Sequence, residues 1–258
     1  MNIKSRYGNW ALITGASSGI GKEFAHRFAE MNINLILIAR REELLKSIKT
    51  DLEERFKVEI IIIPLNLTDH DFLKIITKRI EGKKVNILIN NAGIGALGDF
   101  FKNDITQYEE IIKLNCIAPI VLIKHFADEM IKEGKGALIF VGSVVGILPS
   151  PRMSIYSASK AFLNTFGESL WNELSDSGID VITIMPGSTD TEFQRLSKGK
   201  TLNIRRAKDV VNTTLKSLGK KPAAIDGLLN KLFFTGSRFF PRKLILKLSK
   251  NISDKINN

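Results

Sequence analysis

The 258-residue chain is expected to fold as α/β, with a single doubly wound parallel sheet and helices on both faces. Three observations predict it. Apolar runs that read as buried strands recur at residues 10–13, 34–39, 58–64, 85–89, 136–143 and 181–185, and near-continuous apolar strands are what a sheet covered on both faces requires. Segments with helical spacing alternate with these runs, as βαβ units demand. The first such unit closes through a glycine-rich turn at residues 14–21. With 44% hydrophobic residues, a chain of this length can bury a full core, and one domain covering 1–258 accommodates it.

Thr14-Gly15-Ala16-Ser17-Ser18-Gly19-Ile20-Gly21 leads from the first strand into a helix on which Phe24, Ala25, Phe28 and Ala29 share a face. Glycine suits this turn because a chain leaving a strand sharply visits positive φ. A missing Cβ also lets backbone N–H groups approach a pyrophosphate at the helix N-terminus. A nucleoside-triphosphate P-loop is excluded, since it needs glycine at Ala16 and Ser or Thr at Glu23. The dinucleotide pattern G-x-G-x-x-G is not matched literally either, because the glycines fall as G-x-x-x-G-x-G. That variant resembles the glycine motif of the short-chain dehydrogenase/reductase family, whose fold is Rossmann-like. The resemblance implies that Gly15, Ser17, Ser18, Gly19, Ile20 and Gly21 bind a nicotinamide dinucleotide.

The second strand ends at Ala39 and is followed by Arg40 and Arg41. In dinucleotide folds this strand tip meets the adenosine ribose, where an acid selects NAD and an arginine accommodates a 2′-phosphate. The acid is missing here, so NADP(H) is the expected cofactor, with Arg40 the first choice for the phosphate and Arg41 the second. The third strand leads to Asn66 and Leu67, with Thr68 or Asp69 expected to cap the next helix. The family usually has Asp at the place of Asn66, where the side chain meets adenine; an amide oxygen can still accept from the adenine amino group. After the fourth strand, Asn90-Asn91-Ala92-Gly93 matches the family's N-N-A-G motif, which implies cofactor contacts from Asn90, Ala92 and Gly93 at the carboxyl end of the sheet.

A helical pattern covers residues 106–133 with Asn115 in its middle, and Pro119 is expected to disturb the hydrogen bond to the Asn115 carbonyl. By resemblance, Asn115 perturbs the helix and anchors a water leading toward a catalytic lysine. The fifth strand ends in Ser143; Tyr156 and Lys160 follow at a spacing that puts both on one helix face. Ser143 with this Y-x-x-x-K matches the family's active-site signature. Beyond the sixth strand, Pro186, Gly187, Thr189 and Thr191 match P-G-x-x-x-T, a loop that by resemblance holds the nicotinamide carboxamide.

The chemistry these residues imply is hydride transfer between NADPH and a ketone, aldehyde or 3-oxoacyl group. Tyr156 is general acid, Ser143 binds the same oxygen, and Lys160 lowers the phenol's pKa and holds the nicotinamide ribose; in reverse, the phenolate is the base of alcohol oxidation. A cofactor-sensing binding protein has no need of Ser143, Tyr156 and Lys160 together.

The net charge of +11 favours anionic partners. No nucleic-acid-binding motif accompanies it, so nucleic acid is not expected. Cys116 is the lone cysteine, which excludes an internal disulfide, and the scattered His26, His70 and His125 offer no metal cluster. Without a signal-peptide pattern or a long apolar run, a cytoplasmic location is expected. The positive charge is concentrated in two places. Residues 192–208 correspond to the family's substrate lid and carry Arg195, Lys198, Lys200, Arg205, Arg206 and Lys208; residues 228–258 hold seven basic side chains and one acid. In that tail Pro241 starts a helix with Leu244, Ile245, Leu248 and Ile252 on one face and Lys243, Lys247 and Lys250 on the other. The pattern fits packing on the domain, a roof over the pocket that uses Phe233, Phe234, Phe239 and Phe240, or weak association with a membrane surface. A basic lid suits a 3-oxoacyl thioester, and an apolar tail suits a steroid or other lipid ketone. The long helices near 106–133 and 156–175 resemble those through which relatives assemble, so a homo-oligomer is expected.

Overall fold

The structure, a computed structural model, describes residues 3–192 and 204–257. The apolar runs become β1 (Trp10–Thr14), β2 (Asn34–Ala39), β3 (Ile60–Pro64), β4 (Ile87–Asn90), β5 (Gly136–Val141) and β6 (Ile179–Met185), joined by a short β7 (Ala223–Ile225). They form one sheet in the order 3-2-1-4-5-6-7, with every pairing parallel. Leu12 of β1 lies between Ile36 of β2 and Leu88 of β4. The chain winds outward from β1 to β3 and then returns to the other side of β1, so the strand order switches between β1 and β4. A crevice at the carboxyl ends of those strands is the place such a sheet offers a ligand.

Ten helices connect or flank these strands among the described residues: α1 (Ile3–Tyr7), α2 (Gly19–Glu30), α3 (Glu42–Arg55), α4 (Phe72–Arg79), α5 (Ile105–Ile112), α6 (Ala118–Glu133), α7 (Ser154–Glu173), α8 (Ala207–Ser217), α9 (Leu228–Gly236) and α10 (Arg242–Asn257). Successive strand residues point to opposite faces, which is why each strand can be apolar throughout. Ile13, Leu35, Leu37, Ile89 and Ile139 pack with Phe24 and Phe28 of α2, Leu45 of α3 and Val210 of α8. Leu12, Ile36, Ile38, Leu88 and Phe140 pack on the other side with Ile76 of α4, Phe126 of α6 and Leu163 of α7.

The expected perturbation near Asn115 is present, one capping expectation is corrected, and one strand went unread. The helical run at 106–133 is interrupted by a π turn at Lys113–Ile117, in which the Ala118 N–H reaches the Lys113 carbonyl. Pro119 has no N–H for the Asn115 carbonyl, and the wider turn lies directly before this proline. Neither Thr68 nor Asp69 caps the next helix; α4 begins after Asp71, and the Thr68 N–H donates to the Asn66 side chain at 3.3 Å. The seventh strand was not anticipated, since three half-buried residues carry no readable period.

Candidate active site

The glycine turn is tied to the end of β4. Thr14 Oγ1 donates to the Ile89 carbonyl at 3.1 Å and accepts from the N–H groups of Asn91 (2.9 Å) and Ala92 (3.0 Å). The Asn91 amide donates back to the Thr14 and Gly15 carbonyls at 2.8 and 3.2 Å. Gly15 has φ +65°, and a Cβ there would lie 2.8 Å from Asn91 Nδ2. Glycine is therefore required both by conformation and by the closeness of the two loops.

The first intrahelical bond of α2 runs from the Lys22 N–H to the Ser18 carbonyl, and Ser18 makes no side-chain cap. The N–H groups of Gly19, Ile20 and Gly21 thus point out of the helix at its positive end, which fits the pyrophosphate of a dinucleotide. Asn90, at the carboxyl end of β4, is a buried amide with no hydrogen-bond partner among the described residues. A polar ligand in the crevice is the kind of group such a side chain lacks.

Ser143 ends the chain's run out of β5. Its Oγ accepts from the Val145 N–H at 3.2 Å and donates to the Pro186 carbonyl at 3.5 Å. Tyr156, in the first turn of α7, is buried. Burial pushes the phenol up to about 12, while the Ser143 hydroxyl pulls its pKa downward. Lys160 lies one turn further along α7, donates to the Val141 carbonyl at 2.9 Å and sits 6.0 Å from the centre of the Tyr156 ring. Burial pushes it down to about 8. The expectation that Lys160 brings the phenol below its ordinary value is thus not met in the protein alone. The lysine donates to a carbonyl, and desolvation dominates at both groups.

Asn115 is fully buried in the π turn. Its amide donates to the Ile94 carbonyl and to Ser159 Oγ, both at 2.9 Å, and accepts from the Ile94 N–H at 3.0 Å. The side chain thereby clamps the loop after Gly93. A Cβ on Gly93 would come 3.3 Å from Lys160 Nζ and 3.2 Å from Asn115 Oδ1, so the three residues meet.

Asn164 was not singled out by sequence reasoning. Its amide donates to the Ser143 carbonyl at 3.0 Å and accepts from the Ser143 N–H at 3.3 Å, which fixes the serine backbone from both sides. The signal was available, because Asn164 follows Tyr156 and Lys160 at spacings of eight and four on one helix face. Asn164→Leu should lower kcat about tenfold or more through loss of alignment while leaving cofactor affinity intact. Steady-state kinetics together with a cofactor titration checks this; a kcat within about twofold of the parent would show that Ser143 is held without it.

A family model for short chain dehydrogenases matches residues 9–201. The chain belongs to the short-chain dehydrogenase family. It is 29% identical to a 7beta-hydroxysteroid dehydrogenase of Clostridium sardiniense over 97% of this chain and 98% of that one. It is 27% identical to a very-long-chain 3-oxoacyl-CoA reductase of Mus musculus over 99% of this chain and 83% of that one. Among solved structures, one of a 7beta-hydroxysteroid dehydrogenase is similar with a TM-score of 0.90 at 25% identity, covering 96% of this chain and 99% of that one. A short-chain dehydrogenase from Sphingobium yanoikuyae in complex with NADPH is similar with a TM-score of 0.79 at 32% identity, covering 92% and 95%. This short-chain dehydrogenase is accordingly an oxidoreductase.

The two arginines point to different partners in the dehydrogenase. Arg41, not Arg40, reaches the glycine turn, donating to Ser17 Oγ from Nε at 3.3 Å and from a terminal nitrogen at 3.1 Å. Arg40 turns toward Glu110, 3.6 Å away. Sequence ranked Arg40 first by its place at the strand tip, whereas the direction of each side chain depends on how β2 runs into α3. Asn66 is similarly engaged with its own loop, and Leu67 is buried in the core.

The loop after β6 closes the crevice. The Pro186 carbonyl accepts from the Val144 N–H at 3.0 Å, Thr189 Oγ1 donates to the Gly187 carbonyl at 3.0 Å, and Thr191 Oγ1 donates to the Thr189 carbonyl at 3.2 Å. The Thr191 methyl lies where a Cβ on Gly19 would be, 2.8 Å away, so this loop faces the glycine turn. Arg195, Lys198 and Lys200 of the expected lid lie outside the described residues. Its described arginines are not available charge. Arg205 forks onto the fully buried Asp226 at 2.9 and 3.3 Å, and Arg206 pairs with Asp209 at 3.0 Å. Two clefts open near the site without Tyr156 or Lys160 in their walls. One, of about 830 Å³, lies between α7, β7 and α9 and includes Asn164, Met185 and Phe234. The other, of about 510 Å³, lies between Ile147–Pro151, the start of α7 and Leu246 of α10.

Proposed function

We propose that this dehydrogenase reduces the carbonyl of a bulky, lipid-like ketone with NADPH and, in reverse, oxidises the corresponding secondary alcohol. The observation that carries this reading is the buried Tyr156–Ser143 pair with Lys160 one turn behind it, at the mouth of the crevice. Bound reduced nicotinamide supplies the hydride. The hydroxyls of Ser143 and Tyr156, both buried, donate to the substrate oxygen as negative charge develops on it. Tyr156 then gives its proton to that oxygen, and the Lys160 ammonium stabilises the phenolate left behind. Asn115 keeps the loop after Gly93 in place beside that ammonium, and its own carbonyl, deprived of an α-helical donor by Pro119, is the group available to hold a water for proton resupply.

The substrate class is supported by relatives whose names describe a hydroxysteroid dehydrogenase, a 3-oxoacyl-CoA reductase and a bulky-bulky ketone specific alcohol dehydrogenase. Each joins a ketone or secondary alcohol to a large body. A screen of NADPH oxidation against steroid ketones, 3-oxoacyl thioesters and bulky aryl ketones tests the reading; turnover of small aldehydes alone would reject it. Assembly of copies of this chain is supported by Ile117 at the end of the π turn and by Ile120 and Ile131 on α6, all of which stand exposed.

The 2′-phosphate falls to Arg41 with Ser17. Glu192 Oε2 already lies 2.7 Å from this guanidinium, which marks where an anion is drawn. A phosphate dianion offers the same fork more charge and a better geometric match. Arg41→Ala is expected to weaken NADPH binding by about 1.5 to 3 kcal/mol, roughly 10- to 150-fold, with NADH little changed. Arg40→Ala should have the smaller effect. Fluorescence titration of both cofactors decides it, and equal affinities for NADPH and NADH in the parent would overturn the assignment.

A further inference from the structure

The C-terminal segment presents a surface that the chemistry at Tyr156 does not use. On α9, Leu228, Leu229, Leu232 and Phe233 recur at spacings of four and stand between 50% and 71% exposed; Phe239 and Phe240 follow at 86% and 58%. Phe234 alone of the expected roof turns inward, lining the cleft against α7. Helix α10 is seated on its own domain, with Ile245 buried and Ser249 Oγ donating to the Pro149 carbonyl at 3.3 Å. Leu244 is exposed despite its expected place on the packed face, and the side chains of Leu248 and Ile252 lie outside the described residues. The packing of α10 therefore leaves the aromatic turn and the outer side of α9 uncovered.

We propose that this surface docks on an anionic lipid bilayer. Monomeric proteins rarely leave a run of large apolar side chains open to water unless it meets another apolar phase. The charge around it selects that phase. Arg242 and Lys243 follow the aromatic turn directly, Lys247 and Lys250 are exposed further along α10, and residues 228–253 contain no Asp or Glu. A twofold contact with a second copy would set this cationic patch against itself, since such an interface brings the same surface from both subunits together. Anionic headgroups instead complement the cations while the leucines and phenylalanines enter the acyl boundary, the arrangement of an interfacial helix. Among the described residues no helix is long and apolar enough to cross a membrane, so the surface lies on the bilayer.

Flotation of the full chain with phosphatidylcholine vesicles, with and without phosphatidylserine, tests this at low and high salt. Binding is expected with phosphatidylserine at low salt, and it should weaken as salt screens the lysines. Lys243→Glu with Lys247→Glu should lower the partition coefficient about tenfold or more. Phe239→Ser with Phe240→Ser should lower it comparably, and both pairs should keep cofactor affinity because none of the four touches the crevice. The proposal is overturned if the parent stays unbound with both vesicle types, or if both pairs of substitutions float like the parent. It is also overturned if the phenylalanine substitutions dissolve a dimer seen by sedimentation equilibrium while no lipid is bound.

Discussion

Tyr156→Phe is expected to lower kcat at least about 100-fold while leaving NADPH affinity nearly unchanged, because general acid–base catalysis contributes about that much. The ring is buried between its own helix and Ser143, and phenylalanine fills the same space, so the fold has no reason to move. Ser143 keeps the Val145 N–H and the Pro186 carbonyl as partners, and no buried group at the serine is orphaned. The hydroxyl that transfers the proton is the one atom lost. Ser143→Ala should be milder, since it removes one donor to the developing oxyanion and leaves the proton donor in place. Stopped-flow turnover beside a fluorescence titration of NADPH separates the two quantities. A phenylalanine variant that retains more than about a tenth of the parent kcat would remove Tyr156 from the chemistry. A parent that binds NADPH tightly but turns over none of the ketones would favour a cofactor sensor instead.

The parts of this site that were legible in the sequence are those whose chemistry needs a residue type at a fixed local spacing. Gly15, Gly19 and Gly21 serve one turn, and Tyr156 and Lys160 one helix face; local geometry alone relates them. The illegible parts depend on partners brought from elsewhere in the chain. Arg40 and Arg41 are equivalent until the start of α3 directs one toward Ser17 and the other toward Glu110. Arg205 looks like lid charge until Asp226, fully buried at the end of β7, claims it. Asn164 reads as a polar residue in an amphipathic helix until β5 places the Ser143 backbone against it. The sheet was legible because buried parallel strands are apolar throughout, whereas β7 is short and half-buried and so lacks that mark. The size of Phe239 and Phe240 left open whether they roof the pocket or face outward, and in the fold both stand exposed.

Lys160→Met should abolish turnover and yet stabilise the cofactor-free protein at neutral pH. Burial holds the lysine at about 8, below its ordinary 10.5. At pH 7 the folded and unfolded chains both carry the proton, and the folded chain bears the full cost of a buried ammonium, on the order of 3 kcal/mol. Between about 8 and 10.5 the folded lysine has released its proton while the unfolded one has not. The unfolded state binds more protons there, so the stability of the parent rises with pH across that window and levels off above it. Tyr156, pushed up to about 12, acts with the opposite sign only above its ordinary 10.0, and it is present in both proteins, so it cancels in the comparison. Methionine fills much of the same volume without charge, but it leaves the Val141 carbonyl without its 2.9 Å donor, a loss of about 1 to 3 kcal/mol. The variant is therefore expected to be more stable than the parent by up to about 2 kcal/mol at pH 7 and less stable by about 1 to 3 kcal/mol near pH 10.5. Urea unfolding of both proteins at the two pH values measures the reversal. A stability difference that stays flat with pH would mean that Lys160 titrates like a solvated lysine, and that its place beneath Tyr156 is wetter than the geometry of α7 and β5 implies.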